Sequence, residues 1–179
     1  DQGWDKLREE TLARQIALGV VPKGTKLANK PDAIKDWDKL SADEKKLFAR
    51  QMEVYAGFGE YCDHEIGRLF DAIGDAGQLD NTLIIYIEGD NGASAEGTLE
   101  GTTNELGGNL EPESLAFKVS MMDALGSDRT YNHYPVGWAH AMDTPFQWTK
   151  QVASHFGGTR NGMCLSWPKR MIARGEIRS

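Results

Sequence analysis

The chain is poor in cysteine and has no long apolar run. Cys62 and Cys164 are its two cysteines. They are too few for a disulfide framework, and they lack the paired spacing of a metal site. Both read as buried thiols. The apolar runs are far shorter than the ~20 residues needed to span a bilayer, which excludes a membrane-spanning helix. Clustered basic residues are also missing. Lys and Arg number 20 against 27 Asp and Glu, for a net charge of −7. No nucleic-acid surface is expected from so scattered a basic set. No signal peptide is visible at the start, DQGWDKLREE, which is charged and has no initiator Met. That start reads as mid-chain, so the compartment is not legible. Repeats and low-complexity tracts are absent too. What remains is ordinary globular composition, 40% hydrophobic and 26% charged over 179 residues. That is enough for one domain with a real core.

Punctuation and periodicity divide the chain. WDKLREETLARQIALG reads as a short helix stopped by Gly19, with Pro22 following. The polar stretch VPKGTKLANKPDAIKDWDKL, with two prolines, reads as a surface loop. Ser41 and Glu44 then form a capping box, in which each side chain bonds the other's backbone N–H. Behind the box, Phe48, Met52, Tyr55, Cys62, Ile66, Leu69 and Ile73 fall on one helical face. This helix runs to about Ala76, where Gly77 suits a left-handed C-terminal position. A helix of that length needs a large surface to lie on, and a sheet would supply one.

NTLIIYIE, residues 81–88, is almost continuously apolar, which marks a strand covered on both faces as in a parallel sheet. Between Gly89 and Gly158 glycines are frequent and periodicity is weak. One helix interrupts this region, opening near Pro112 and carrying Leu115, Val119, Met122 and Leu125 on one face. TYNHYPVGWAHAMDTPFQWTKQVASHFGG follows, and a loop region so rich in aromatics reads as functional rather than disordered. MCLSW is a second short strand, closed by Pro168.

The stretch GDNG follows the first strand directly. In open α/β sheets ligands bind beyond the carboxyl ends of strands. Asp90 and Asn91 place a carboxylate and an amide there, hard oxygen donors suited to Ca²⁺ or Mg²⁺. Asp-Asn-Gly is also ordinary turn chemistry, and these residues alone leave both readings open.

IYIEGDNGASAEG, followed by TPFQWTKQVASHFGGTRNGMCLSWPKR, resembles the formylglycine-dependent sulfatases, specifically the bacterial arylsulfatase-like enzymes. The upstream DQGWDKLREETLARQ and the stretch YCDHEIGRLFDAI through GQLDNTLIIYI fit the same family, so the resemblance covers nearly the whole chain. It implies an α/β fold of the alkaline-phosphatase type, with residues 1–179 as the central segment of one catalytic domain. That segment would hold a central parallel strand, a packed long helix and long active-site loops. Asp90 and Asn91 match the Asp-Asn pair that supplies half of the family's divalent-cation site, for Ca²⁺ or Mg²⁺. Lys150, seven residues before Gly157, matches the lysine that contacts the sulfate. Gly157-Gly158-Thr159-Arg160 matches the motif that follows that lysine. Arg160 could bind the anion too, but reads rather as structural, fixing the Gly-Gly turn by bonding carbonyls or a carboxylate.

None of the histidines matches the family's sulfate-contacting ones. His64, on the long helix, reads as structural. His133, His140 and His155 lie in or beside the functional loop, and the residues alone assign them no role. Trp138 and Trp148 could wall a pocket for an aromatic or sugar leaving group, or belong to the core.

The family's nucleophile is a Cys or Ser in Cys/Ser-x-Pro-x-Arg, oxidised to formylglycine. Neither cysteine fits. Cys62 is followed by Asp63-His64-Glu65-Ile66, and Cys164 by Leu165-Ser166-Trp167-Pro168. The formylglycine, the opening Asp-Asp pair and the C-terminal subdomain are expected outside this segment, which alone is expected to be inactive. The resemblance implies hydrolysis of small sulfate monoesters, with the remainder of the sulfatase chain as partner. Alternatives are a phosphonate or phosphodiester hydrolase of the same superfamily, or a truncated module without catalysis.

Overall fold

The computed structural model describes residues 2–178 apart from 90 and 109. Helix α1 (Gly3–Leu18) ends on Gly19, whose φ of 77° is left-handed and whose N–H caps the carbonyls of Gln15 and Ile16. Helix α2 (Ala42–Asp75) opens with the expected box. The Glu44 N–H donates to Ser41 Oγ at 3.2 Å, and the Ser41 N–H donates to Glu44 Oε2 at 2.7 Å. Gly77 takes the left-handed conformation beyond its end, at φ 68°. The smaller helices are α3 (Glu105–Gly108), α4 (Leu115–Ser120), α5 (Val136–Met142) and α6 (Phe156–Thr159). Strands β1 (Ile84–Ile87) and β2 (Met163–Ser166) complete the set.

The core is aromatic. Trp4 meets Trp37 edge-on at 4.8 Å between ring centres, Trp138 edge-on at 5.6 Å, and Phe48 stacked at 5.9 Å. Edge-to-face pairs of this kind gain about 0.5–1.5 kcal/mol beyond the burial of their area. The indole N–H groups are satisfied, Trp4 donating to the Lys35 carbonyl at 3.1 Å and Trp138 to that of Phe48 at 2.9 Å. Gly3, at φ 80°, lies against the Trp37 ring, where any Cβ would collide. Leu115, Val119 and Met122 pack on this cluster and Leu125 joins it, so the apolar face foreseen near α4 is real although the helix starts after Pro112.

Four expectations are corrected. Residues 21–40 are not a pure surface loop, because Ile34, Trp37 and Leu40 are buried. Their polar neighbours mask an anchor, which Asp5 secures by accepting the Trp37 N–H at 2.8 Å and the Lys30 ammonium at 2.6 Å. The central parallel strand is also corrected. β1 pairs antiparallel with β2, Ile84 opposite Ser166 through Ile87 opposite Met163. Ile85 and Ile87 are 54% and 55% exposed. An apolar run records what a strand could bury, while direction and cover depend on which elements lie beside it. The long helix is packed only along its first part, around Leu47, Phe48 and Gln51, while Phe58, Tyr61 and Leu69 are exposed. Finally, Cys62 is half-buried and Cys164 exposed on the two-stranded ribbon, so neither is a buried thiol. Among the described residues no helix is long and apolar enough to cross a membrane.

Candidate active site

The chain leaving β1 turns sharply. The Glu88 N–H donates to the Gly162 carbonyl at 3.1 Å, and Gly89 follows at φ 79°. Asp90 lies outside the described residues. Gly92 is buried with its N–H donating to the Gly158 carbonyl at 3.2 Å. Backbone approaches backbone here, and a Cβ on Gly92 would run into the Gly157 carbonyl. Gly92 is thus closed by the GGTR backbone, while a Cβ on Gly157 or Gly158 would strike the carbonyls of the lysine loop, those of Gln147 and Trp148 and of Thr149 and Val152 respectively. One residue on, the Ala93 N–H donates to Asp143 Oδ1 at 2.9 Å, and the Ala93 carbonyl accepts the Lys150 N–H at 3.0 Å.

Lys150 is flanked by unusual backbone. Trp148 and Gln151 have φ of 70° and 75°, where non-glycine residues are strained by roughly 1–3 kcal/mol each. Its ammonium reaches Glu96 Oε2 at 3.1 Å. Glu96 also accepts the Ser94 hydroxyl at 2.7 Å and the Gln151 amide at 3.3 Å. The Ser94 bond first, and then the bond to Lys150, hold the Glu96 carboxyl below its ordinary pKa.

Asn91, Lys150, His133, Ser94, Asp143 and Arg160 all line one open cleft of ≈ 1610 Å³. That exceeds the roughly 300–1,000 Å³ usual for small-molecule sites. Asp143 sits just after α5, half-buried, with Oδ2 unpartnered among the described residues. Burial pushes its pKa up to about 7, partly opposed by the bond from Ala93. Tyr134 is buried against Tyr55, ring centres 4.9 Å apart, and burial raises its phenol pKa.

The histidines separate clearly. His133 is in the cleft wall, with Nδ1 2.8 Å from the Tyr134 carbonyl and Nε2 3.0 Å from Ser94 Oγ. His140 is 2% exposed inside the core, and burial drives its pKa down to about 4. It is a core residue held neutral, not a pocket residue. His155 contacts Ser154 Oγ through Nδ1 at 2.8 Å and the Trp148 ring at 6.1 Å. Trp138 is core, while Trp148 is exposed. Arg160 departs from expectation. Its guanidinium lies over the rings of Phe146 and Phe156, at 5.6 and 5.5 Å, and not on turn carbonyls. Ser94, Glu96 and Asp143 were missed by sequence reasoning. Their only signal was position, the first two inside the GDNGASAEG run and the third just before the Thr-Pro of the lysine loop.

The donor chemistry of this cleft fits a hard cation only in part. Asn91 offers an amide oxygen, and Glu88 lines the same cleft. Among the described residues no group of three or more His, Cys, Asp and Glu side chains is gathered to hold a metal. Ca²⁺ takes about 6–8 oxygens, so further donors are needed.

The Sulfatase family model matches residues 8–173. An uncharacterized sulfatase of Schizosaccharomyces pombe is 34% identical over 169 residues, covering 93% of this chain and 29% of the relative. An arylsulfatase of Klebsiella aerogenes is 27% identical over 169 residues, covering 94% of this chain and 34% of the relative. The chain thus spans about a third of the length of these relatives. The match from Arg8 to Ala173 takes in both glycine motifs and the lysine loop between them, and the chain belongs to the sulfatase family.

Proposed function

We propose that this chain forms one wall of a sulfate-ester hydrolase site, in which Lys150 contacts the sulfate and Asp90 and Asn91 hold a divalent cation. The observation that carries this reading is the meeting of two distant motifs. The Asn91 loop and the Lys150 loop are joined by the bonds from Gly92 to Gly158 and from Lys150 to Ala93. An amide donor and a cation thereby face one cleft.

The chemistry follows from charge. Hydrolysis of a sulfate monoester builds negative charge on the leaving oxygen. An ammonium fixed in the cleft wall stabilises that charge without having to reorganise at the moment of reaction. Lys150 has three N–H donors. Glu96 takes one, leaving others for sulfate oxygens. A Ca²⁺ or Mg²⁺ bound by Asp90, Asn91 and donors from outside this chain would supply charge neutralisation at the sulfate. The nucleophile, a formylglycine on the family pattern, lies outside these residues. Natural substrates of the aryl sulfate type are consistent with the cleft's size and with its Tyr55, Tyr134 and Phe146 lining.

The test is steady-state kinetics on the full-length protein with an aryl sulfate. Lys150→Ala is expected to lower turnover by about 10²–10³, or roughly 2.7–4 kcal/mol, with metal affinity little changed. Lys150→Arg should rescue poorly, because a planar fork does not replace a compact ammonium. Near-normal kinetics for Lys150→Ala would return this lysine to the surface.

A further inference from the structure

Lys150 has a long flexible stem, and a point charge useful in a transition state must be held within about 0.5 Å of its place. We infer that Glu96 is the positioning residue that holds Lys150, and that Ser94 locks Glu96 in turn, with His133 set beside Ser94. Four contacts form the line. The Tyr134 carbonyl can only accept, so His133 carries a proton on Nδ1 and donates it across 2.8 Å, which fixes the ring. Nε2 lies 3.0 Å from Ser94 Oγ, and because the Ser94 hydrogen goes to Glu96, this contact is a hydrogen bond only where Nε2 also carries a proton. The Ser94 hydroxyl donates to Glu96 Oε2 at 2.7 Å while accepting the Glu96 N–H at 3.2 Å, which closes a small ring around the carboxylate. The same Oε2 takes the Lys150 ammonium at 3.1 Å.

The bland alternative is an ordinary surface ion pair, which contributes little because two mobile side chains must be ordered to form it. Three features separate this pair from that case. Both side chains are only 34% exposed. The Glu96 carboxylate has three side-chain donors, from Ser94, Lys150 and Gln151. The Lys150 backbone is pinned to Ala93 and flanked by the left-handed Trp148 and Gln151. The ends of the pair are therefore ordered before the ion pair forms. Gly97 completes the arrangement, because a Cβ there would strike both the Tyr134 carbonyl and the His133 ring.

The importance of this line to catalysis rests on Lys150 being the sulfate contact, but its existence does not, and two measurements separate the two. The first is lysine acylation of the full-length protein read by peptide mass spectrometry. Lys150 should react slowly in the native protein and several-fold faster in Glu96→Gln and in Ser94→Ala, with the other lysines unchanged. An unchanged Lys150 rate in Glu96→Gln overturns the inference. The second is a double-mutant cycle with an aryl sulfate. Glu96→Gln should lower kcat about 10-fold or more with KM changed by less than about twofold, as expected for a misplaced group. Glu96→Asp should recover part of the loss. The Glu96→Gln loss should vanish in a Lys150→Ala background, because the two residues act as one. A loss that persists in that background overturns the positioning role. Faster acylation in Glu96→Gln together with a harmless Lys150→Ala would keep the tether and overturn the sulfate reading instead.

Discussion

The region around Trp4 and the region around Ile85 use the same kinds of residue to opposite ends. In the first, indoles, Phe48 and Leu47 are closed on one another, and even Gly3 gives up its Cβ space to the Trp37 ring. In the second, Ile85, Ile87, Met163 and Leu165 are exposed on a two-stranded ribbon. A ribbon of two strands is marginal by itself. The difference shows where stability and site geometry come from. The aromatic cluster stabilises the fold, and α5, which runs out of that cluster, delivers Asp143 to the Ala93 N–H. The ribbon only aims the chain toward Gly89 and on to Gly92 and Ala93. The candidate site lies on the seam between them, with Lys150 tied to the Ala93 side by a backbone bond.

The comparison breaks first at the cluster, where the largest effect is expected. Trp138→Ala removes a ring that touches both Trp4 and Trp37 and the indole N–H that donates to the Phe48 carbonyl. The cost should be about 3–5 kcal/mol. That is a large share of the roughly 5–15 kcal/mol available to a domain. Urea unfolding measures it. A cost below ~1 kcal/mol would mean that the closed region is not what stabilises the chain.

How much of this was legible follows the same division. Local chemistry was readable in advance, because it is written in neighbouring residues. The Ser41–Glu44 box, the Gly19 and Gly77 stops and the two short strands all appeared where expected. Pairing direction was not readable, because a period-free run such as LIIYI looks the same beside a parallel or an antiparallel neighbour. Trp37 was missed because its flanks are Asp36 and Asp38, and Asp5, which pins its N–H, lies far back in the sequence. The site divides likewise. Asn91 and Lys150 could be named from motifs, whereas Glu96, Ser94 and His133 become one unit only when residues 94–96, 133 and 150 are folded together. Asp143 gave no advance sign, since its acceptor role exists only when Ala93 arrives beside it.

A middle-sized effect is expected at Asp143, which joins the packed region to the site. Its pKa of about 7 in the fold lies above the ordinary value of 3.8. Well below pH 3.8 the group is protonated in folded and unfolded chains alike, and it costs nothing. Between about pH 4 and about pH 7 the unfolded chain is ionised and the folded chain largely is not, so stability falls through that window and levels off above it. Asp143→Asn keeps an oxygen for the Ala93 N–H and removes the ionisation. The variant should melt like the native protein near pH 4 and a few degrees higher near pH 8. A gap of the same size at both pH values would assign the effect to packing and detach Asp143 from this linkage.

The smallest effect sharpens the comparison at its open end. Ile85→Thr keeps the β-branch that suits a strand and replaces a methylene carbon chain with a hydroxyl. Ile85 is 54% exposed, so little burial is lost, and its partner across the ribbon, Leu165, is exposed as well. The 179-residue chain should therefore change in stability by no more than about 0.5 kcal/mol, as surface substitutions usually do. The same change in the full-length protein is the informative partner experiment. An equally small cost there leaves this face of the ribbon in solvent. A cost of ~2 kcal/mol or more, measured by urea unfolding of each, would mean that another part of the protein covers Ile85. The apolar run LIIYI would then have described the complete domain more faithfully than it describes this chain.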